Sequence, residues 1–334
     1  MTSEQKEIRI ALPSKGRLAE QSLQFLNDAG LRVYKPNPRQ YQATIPAFPE
    51  LAVIFQRPGD IVVGVRQGSV DFGITGWDMF AERRGTEDKT LALHAGLGFG
   101  HCTLNVIVPD KWNEVRQMGD LKKVRQEVGR PLRVASKFPN VTKTYFEEYG
   151  LEDSKLITAE GTLEIAPTVG YADMIVDLVS TGTTLRDNRL RTLEDGTILS
   201  SQACLIANRA SLQENGQAMA QAKRLLEYIV AYLRATDNLS VYANMRGESP
   251  EEIAQAMFTK EVIGGLQGPT ISPIVTREGN GWYAAHLIIH KNQLSQAIAE
   301  LREVGGSGVV VTPVTYIFEE EPQEYLDMLA ALEN

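Results

Sequence analysis

The 334 residues carry a formal net charge of −8, with 43% apolar and 23% charged side chains. That is the composition of an ordinary globular protein, long enough for two or three domains. The acidic balance argues against a nucleic-acid backbone as partner, and no apolar run reaches membrane-spanning length or reads as a secretory leader.

Two isolated cysteines, Cys102 and Cys204, have neither zinc-ligand nor redox spacing. Both read as buried thiols, and a reducing cytoplasm is the expected compartment. Residues 8–12 predict the first strand. It runs into Ser14-Lys15-Gly16-Arg17, then a helix with Ala19, Leu23, Leu26 and Ala29 at helical spacing. A basic turn in that place suits an anion and equally suits an ordinary surface; the glycine spacing and terminal Lys-Ser/Thr of a P-loop are missing. Residues 34–49, rich in Pro, Tyr and Gln, predict loops and irregular strands. A strand at 51–55 and a helix at 60–67 follow, separated by Arg57-Pro58-Gly59.

Next comes Gly68-x-x-Asp71, a short apolar strand, Thr75-Gly76 and a helix. The same order recurs as Gly170-x-x-Asp173, Met174-Ile175-Val176, Thr181-Gly182 and a helix. The echo predicts two similar α/β lobes, each with a Thr-Gly turn at a strand's carboxyl end. Two such turns across a cleft would grip two ligands or two ends of one. Residues 96–100, dense in glycine, predict the crossover between lobes, with strands at 103–108 and 132–135 and a helix at 142–149.

The second copy of the echo is the richer. Its strand is short, apolar and rich in β-branched residues, so it reads as buried. Asp177 then precedes Ser180-Thr181-Gly182-Thr183-Thr184, with a helix opening near Leu185. Gly182 lets the backbone come close, and the helix's first N–H groups with the hydroxyls suit a phosphate. Asp177 is placed to accept hydrogen bonds from a sugar. A plain N-capped turn would use the same residues, so the loop alone leaves both readings open.

Residues 197–206 predict strands returning to the first lobe, and 217–234 a helix. The tail predicts a strand at 239–245, a helix opened by the capping box Ser249-Pro250-Glu251-Glu252, and strands at 271–276 and 282–289 joined by Glu278-Gly279-Asn280-Gly281. A helix through Leu294, Ala297, Ile298, Leu301 and Val304 and a strand at 309–318 complete the order βαββαβ, which is ferredoxin-like. From Glu319 an acidic stretch leads to an amphipathic segment through Leu326, Leu329 and Leu332, which packs at an oligomer contact or frays.

Glu164, Gly170, Ala172-Asp173, Asp177-Leu178-Val179 and Ser180-Thr181-Gly182-x-Thr184-Leu185, with the Ser14–Arg17 turn and the βαββαβ tail, closely resemble the long form of the ATP phosphoribosyltransferase family over nearly the whole chain. The resemblance implies an α/β fold with a two-lobed core like the type II periplasmic binding proteins. Residues 1–98 with 188–235 form lobe I, 99–187 form lobe II, and 236–334 a ferredoxin-like regulatory domain. It implies that N1 of ATP's adenine displaces pyrophosphate from C1 of phosphoribosyl pyrophosphate, the first step of histidine biosynthesis, with Mg²⁺ accompanying the pyrophosphate and no protein metal ligands assigned. Glu164 and Asp177 would hold the ribose hydroxyls, and Ser180, Thr181, Gly182, Thr183 and Thr184 the 5-phosphate. Lys15, Gly16, Arg17 and Arg57 would meet the polyphosphates. Asn244, Thr270, Gly306 and Ser307 would bind histidine as inhibitor, in a homo-oligomer between dimer and hexamer.

The chemistry asked of such a site is modest. Adenine N1 carries no proton, so attack needs no strong base, and the sequence shows no Ser-His-Asp or Cys-His set; His94 and His101 read as structural. Positioning and electrostatics would carry the rate. Two other readings stand beside this one. A two-lobed solute-binding or sensor protein would bring a signal peptide or a DNA-binding segment. A type I phosphoribosyltransferase for another base would show an adjacent acidic pair, where here Asp177 stands beside Leu178.

Overall fold

The computed structural model describes residues 7–37, 39–159, 161–180, 182–265, 268–276 and 281–333. The chain divides into two compact units, Met1–Leu226 with Gln323–Asn334, and Glu227–Pro322. In the first unit, lobe I opens with β1 (Ile8–Pro13), α1 (Gly16–Asp28), β2 (Gln42–Ile45), β3 (Phe48–Gln56), α2 (Pro58–Gln67), β4 (Phe72–Gly76), α3 (Trp77–Arg83) and β5 (Thr90–His94). Lobe II follows with β6 (Cys102–Pro109), α4 (Leu121–Val128), β7 (Arg133–Ser136), α5 (Pro139–Glu148), β8 (Lys155–Thr158), α6 (Ala166–Val169), β9 (Met174–Val179), α7 (Thr183–Asp187) and β10 (Leu190–Ser201). The chain returns to lobe I only through β11 (Ala203–Asn208), α8 (Arg209–Glu214) and α9 (Gly216–Thr236); residues 190–201, expected in lobe I, pair as β10 with β6 in the lobe II sheet.

The two sheets share one plan. Lobe I has the order β2-β3-β1-β4-β11-β5 and lobe II β10-β6-β9-β7-β8. In each, three parallel strands (β3, β1, β4; β8, β7, β9) are followed by an antiparallel strand from a distant part of the chain, β11 or β6. β4 and β9 hold the same place, flanked on both edges. That explains why their inner residues, Phe72 to Thr75 and Met174 to Val176, are buried with no polar face to spare.

The short echo in the sequence is therefore a structural repeat, and its fixed residues do the same job twice. Asp71 accepts from Arg9 N at 2.8 Å and donates its own N–H to Arg9 O at 3.0 Å. Asp173 does the same with Arg133, at 2.8 Å in both directions. Each aspartate thus anchors the strand that carries the Thr-Gly turn to the start of the parallel strand beside it, β1 or β7. Gly68 and Gly170 close α2 and α6 at φ of 71° and 79°, where a side chain would be strained.

Asp173 also receives Arg130 and Arg133 side chains, at 2.7 and 2.8 Å. Burial works to raise its carboxyl, but those two guanidinium groups and the Arg133 N–H outweigh it and hold the group well below the usual carboxylate range. A carboxyl lowered on folding stabilises above its ordinary range, and the benefit is lost as pH falls through the folded value. Asp173→Asn is expected to cost about 1–2 kcal/mol at pH 7, allowing for the exposure of Arg130. In urea titrations the gap should close below pH 3.8, the group's ordinary value; a pH-independent gap would contradict this.

The second unit contains β12 (Asn238–Arg246), α10 (Pro250–Phe258), β13 (Thr270–Pro273), β14 (Trp282–His290), α11 (Leu294–Glu303) and β15 (Ser307–Pro313). The order β13-β14-β12-β15, with every neighbour antiparallel, is that of the ferredoxin-like fold. Val241, Ala243 and Met245 point to the helices and pack with Ile253, Met257 and Leu301, while Tyr242 on the other face is exposed. The capping box is only half reciprocal. Ser249 Oγ accepts from Glu252 N at 3.2 Å, but Glu252 accepts from Glu248 N at 2.7 Å, one residue early. The last strand stops at Pro313 rather than running to 318; Tyr316 and Phe318 leave the sheet and meet Tyr228 edge-on, with ring centres 6.1 and 5.8 Å away. Residues 278–280 of the expected hairpin turn lie outside the described residues.

The terminal amphipathic segment is α12 (Gln323–Glu333); expected within the 236–334 domain, it instead packs in the first unit against edge strand β5. Arg209 donates to Ala331 O at 2.6 Å and Gln213 to Leu332 O at 3.0 Å, satisfying carbonyls that a helix end leaves open. Met328 is buried. His94 on β5 lies 3.7 Å from Glu324 of this helix; burial holds the imidazole below its ordinary value against that carboxylate. Among the described residues no helix is long and apolar enough to cross a membrane.

Candidate active site

Two groups of expected site residues emerge at the carboxyl ends of the two sheets. In lobe I, β1 and β3 end side by side, Pro13 paired with Gln56, and Ser14 N donates to Gln56 O at 2.8 Å. This register sets Lys15, Gly16 and Arg17, at the start of α1, next to Arg57, the residue before α2. Lys15, Arg17 and Arg57 are exposed, so the cluster is a solvated patch of positive charge above two helix N-termini, where partial positive charge already accumulates.

In lobe II, β9 carries Asp177 and ends at Val179. Ser180 is exposed, Gly182 stands at φ 70° as the cap of α7, and Thr183 and Thr184 form its first turn. Thr181 lies outside the described residues. Helix α7 starts at Thr183, two residues earlier than the sequence implied, because Gly182 takes the left-handed conformation that turns the chain into it. Glu164 sits in a short 3₁₀ turn, Leu163–Ile165. The fold brings it near Asp177, although the two are 13 positions apart in the sequence. Burial pushes the Asp177 carboxyl up and the charge of Glu164 adds to this, against the Leu178 N–H and Lys137. Opposite Asp177 on β6 stands Asn105, whose amide is spent on Thr103 and Thr197.

Two cations near this site carried no sequence signal. Arg186, one turn into α7, folds back so that its Nη2 donates to Thr183 Oγ1 at 3.4 Å. A positive charge therefore stands beside the loop's hydroxyls. Lys137, in the turn after β7, acts on Asp177 through its charge. It is reached only because Ser136 pairs with Val176 across β7 and β9.

The matching turn of lobe I is different, and here the expected symmetry of two gripping loops fails. Asp78, on the first turn of α3, fills the space in front of Gly76 with its Oδ1. Ser201 Oγ donates to that carboxylate at 2.6 Å and accepts from Asp78 N at 3.0 Å. Thr75 Oγ1 donates to Pro58 O at 3.0 Å. Buried and internally satisfied, the Thr75-Gly76 turn is structural, whereas in lobe II Ser180, Thr183 and Thr184 are exposed. Trp77 N bonds Gln202 O at 2.9 Å and its ring packs on Phe80, which fixes the crossover. Burial raises both cysteine thiols, so neither is an activated nucleophile.

The two sheets' carboxyl ends face each other: α3, which leaves the end of β4, meets α5, which leaves the end of β7. A cavity of about 1030 Å³ between α2, α8 and residues 85–89 lies at the opposite, amino end of β4, where open α/β sheets do not place ligands. Among the described residues no group of three or more His, Cys, Asp or Glu side chains is arranged to hold a metal ion.

In the second unit, Asn244 pairs with Ala284 on one side and Ser307 on the other, and Ser307 Oγ donates to Asn244 O at 3.4 Å. Gly306 precedes this pair. Thr270 stands on the same sheet face but in the next row, opposite His286, which stacks on Tyr242 with ring centres 4.3 Å apart. Ser272 rather than Thr270 shares the row of Asn244 and Ser307.

A family model described as ATP phosphoribosyltransferase matches residues 57–231, and one described as HisG, C-terminal domain, matches residues 235–316. ATP phosphoribosyltransferase 2, chloroplastic, of Arabidopsis thaliana is 42% identical over 334 aligned residues, covering 98% of this chain and 81% of its own. ATP phosphoribosyltransferase of Nitrobacter hamburgensis is 35% identical, covering 97% and 98%. A solved structure, the ATP phosphoribosyl transferase (HisG:HisZ) complex from Thermotoga maritima, is 24% identical at a TM-score of 0.49, covering 67% of this chain and 98% of its own.

Proposed function

The chain belongs to the ATP phosphoribosyltransferase family, and from that premise we propose how its residues divide the reaction. It is a pentosyltransferase. N1 of ATP's adenine forms a bond to C1 of phosphoribosyl pyrophosphate while the bond to the departing oxygen breaks and pyrophosphate leaves with the electron pair. This is the first step of histidine biosynthesis. The observation that supports the residue assignment is that the Thr75-Gly76 turn is filled by Asp78, while Ser180, Thr183 and Thr184, beyond Asp177, are exposed.

Ser180, Thr181, Gly182, Thr183 and Thr184 hold the 5-phosphate, with Arg186 adding charge. Glu164 and Asp177 accept from the ribose hydroxyls and lie near the carbon where positive charge develops. Lys15, Gly16, Arg17 and Arg57 receive the polyphosphates, and their charge steadies the departing pyrophosphate. With no acid–base dyad in these roles, the acceleration comes from alignment and from charges set before the reaction begins. Magnesium would accompany the pyrophosphate and neutralise charge on the leaving group, and the carboxylates Glu164 and Asp177 are the oxygen donors this site could offer it.

Unit 2 is the regulatory domain of this proposal, with Asn244, Thr270, Gly306 and Ser307 recognising histidine, and the enzyme works as a homo-oligomer in the cytoplasm. Mixing the protein with ATP, phosphoribosyl pyrophosphate and Mg²⁺ should give the phosphoribosyl-ATP absorbance rise, suppressed by histidine. A protein that instead binds either ligand without turnover would favour the solute-binding reading.

A further inference from the structure

Helix α5 begins with Pro139 and has no cap of its own: Phe138, the residue before it, supplies no side-chain bond. The missing acceptor comes from the other lobe. Glu82, 5% exposed near the end of α3, accepts from Asn140 N through Oε1 at 3.1 Å and Oε2 at 3.0 Å, and from Val141 N at 3.1 Å. Asn140 Nδ2 donates in turn to Glu82 Oε1 at 2.8 Å and to Glu82 O at 3.1 Å. A carboxylate on N–H groups at a helix start is the favourable sense of charge against dipole. Here it also ties lobe I to lobe II across residues 58 apart.

What the clasp holds is the turn that leads into α5. Ser136 Oγ donates to Val176 O at 2.9 Å and accepts from Phe138 N at 2.9 Å, so Lys137 is pinned between a fixed strand and a capped helix. Lys137 follows Ser136, which pairs with Val176 across β7 and β9, so it stands at the same sheet end as Asp177, whose carboxyl its charge lowers; it also lines a cavity of about 310 Å³ with Glu82, Arg83 and Asn140. The path from Glu82 to the ribose site is therefore short: carboxylate, helix start, Lys137, Asp177.

We infer that Glu82 is a positioning residue, which clasps lobe II to lobe I and sets Lys137 against Asp177 for the pentose substrate. The inference rests on the reading of Asp177 as a ribose ligand. Nothing in the reaction asks Glu82 to touch substrate; its five hydrogen bonds are all to protein.

The test is a double-mutant cycle in the full-length enzyme, with initial rates measured against phosphoribosyl pyrophosphate at saturating ATP. Glu82→Gln keeps the size of the side chain and replaces one acceptor oxygen with a donor, so it opposes an N–H. It should raise KM for phosphoribosyl pyrophosphate about tenfold and change kcat less than threefold. Lys137→Ala should raise the same KM, and Glu82→Gln added to it should change KM by less than twofold, because the path is already cut. Asn140→Ala, which removes only side-chain bonds, should raise KM about threefold and be equally silent in the Lys137→Ala background, giving a milder variant should Glu82→Gln fail to fold. Multiplying effects, or a lowered melting temperature with unchanged kinetics, would overturn the clasp. Wild-type turnover in the same assay would show that the assignment of function stands regardless.

Discussion

Replacing Asp177 by alanine is expected to lower kcat/KM for phosphoribosyl pyrophosphate about a thousandfold while leaving the melting temperature unchanged or higher. A carboxylate accepting two hydroxyls makes two charge-assisted bonds, each of about 1.5–3 kcal/mol, so their loss spans roughly 10²- to 10⁴-fold. The stability half of the prediction comes from burial. The Asp177 carboxyl is raised by desolvation first and by Glu164. An acid that binds its proton more tightly when folded costs stability once ionised, from its ordinary range upward, and the cost disappears at low pH. Removing the carboxylate relieves the fold of that cost. A variant with near wild-type kcat/KM would end the assignment, and a variant that melts early would make the loss uninterpretable as chemistry.

Asn244→Ala is expected to weaken inhibition by histidine about 10- to 100-fold, with uninhibited rates within twofold of wild type. The reasoning is local. Asn244 stands beside Ser307 on the sheet face away from the helices, so truncating its amide leaves the packed core of Val241, Met245 and Leu301 intact. One hydrogen bond to a charged amino acid is worth about 1.5–3 kcal/mol. Unchanged inhibition would move the inhibitor away from this row. A point change is the sharper tool here. Cutting the chain after residue 236 would also remove α12, whose closing carbonyls are held by Arg209 and Gln213 in the first unit.

Much of the plan was legible because it rests on local pattern. The apolar run of β9, the paired Gly-x-x-Asp signals and the βαββαβ order each follow from spacing and turn chemistry alone. The Gly-x-x-Asp match was short, and its weight comes from the structure, where Asp71 and Asp173 tie the same two strands in each lobe. Strands β5 and β8 gave no signal. Thr90–His94 and Lys155–Thr158 are too short for two-residue alternation to stand out, and they form only by pairing with β11 and β7. Asp78 could not be seen filling its own Thr-Gly turn, since the partner that completes it, Ser201, is 123 residues on. Lys137 and Glu82 were invisible for the same reason: their meaning lies in what the other strand or lobe brings to them. For α12 the amphipathic face was plain and its partner, edge strand β5, was not.

A structure with ribose 5-phosphate or phosphoribosyl pyrophosphate bound is the most direct measurement. The phosphate should lie within hydrogen-bonding distance of the backbone at 180–184, with the ring hydroxyls on Asp177. A sugar phosphate lodged at the Thr75-Gly76 turn, or in the cavity beside α8, would contradict it.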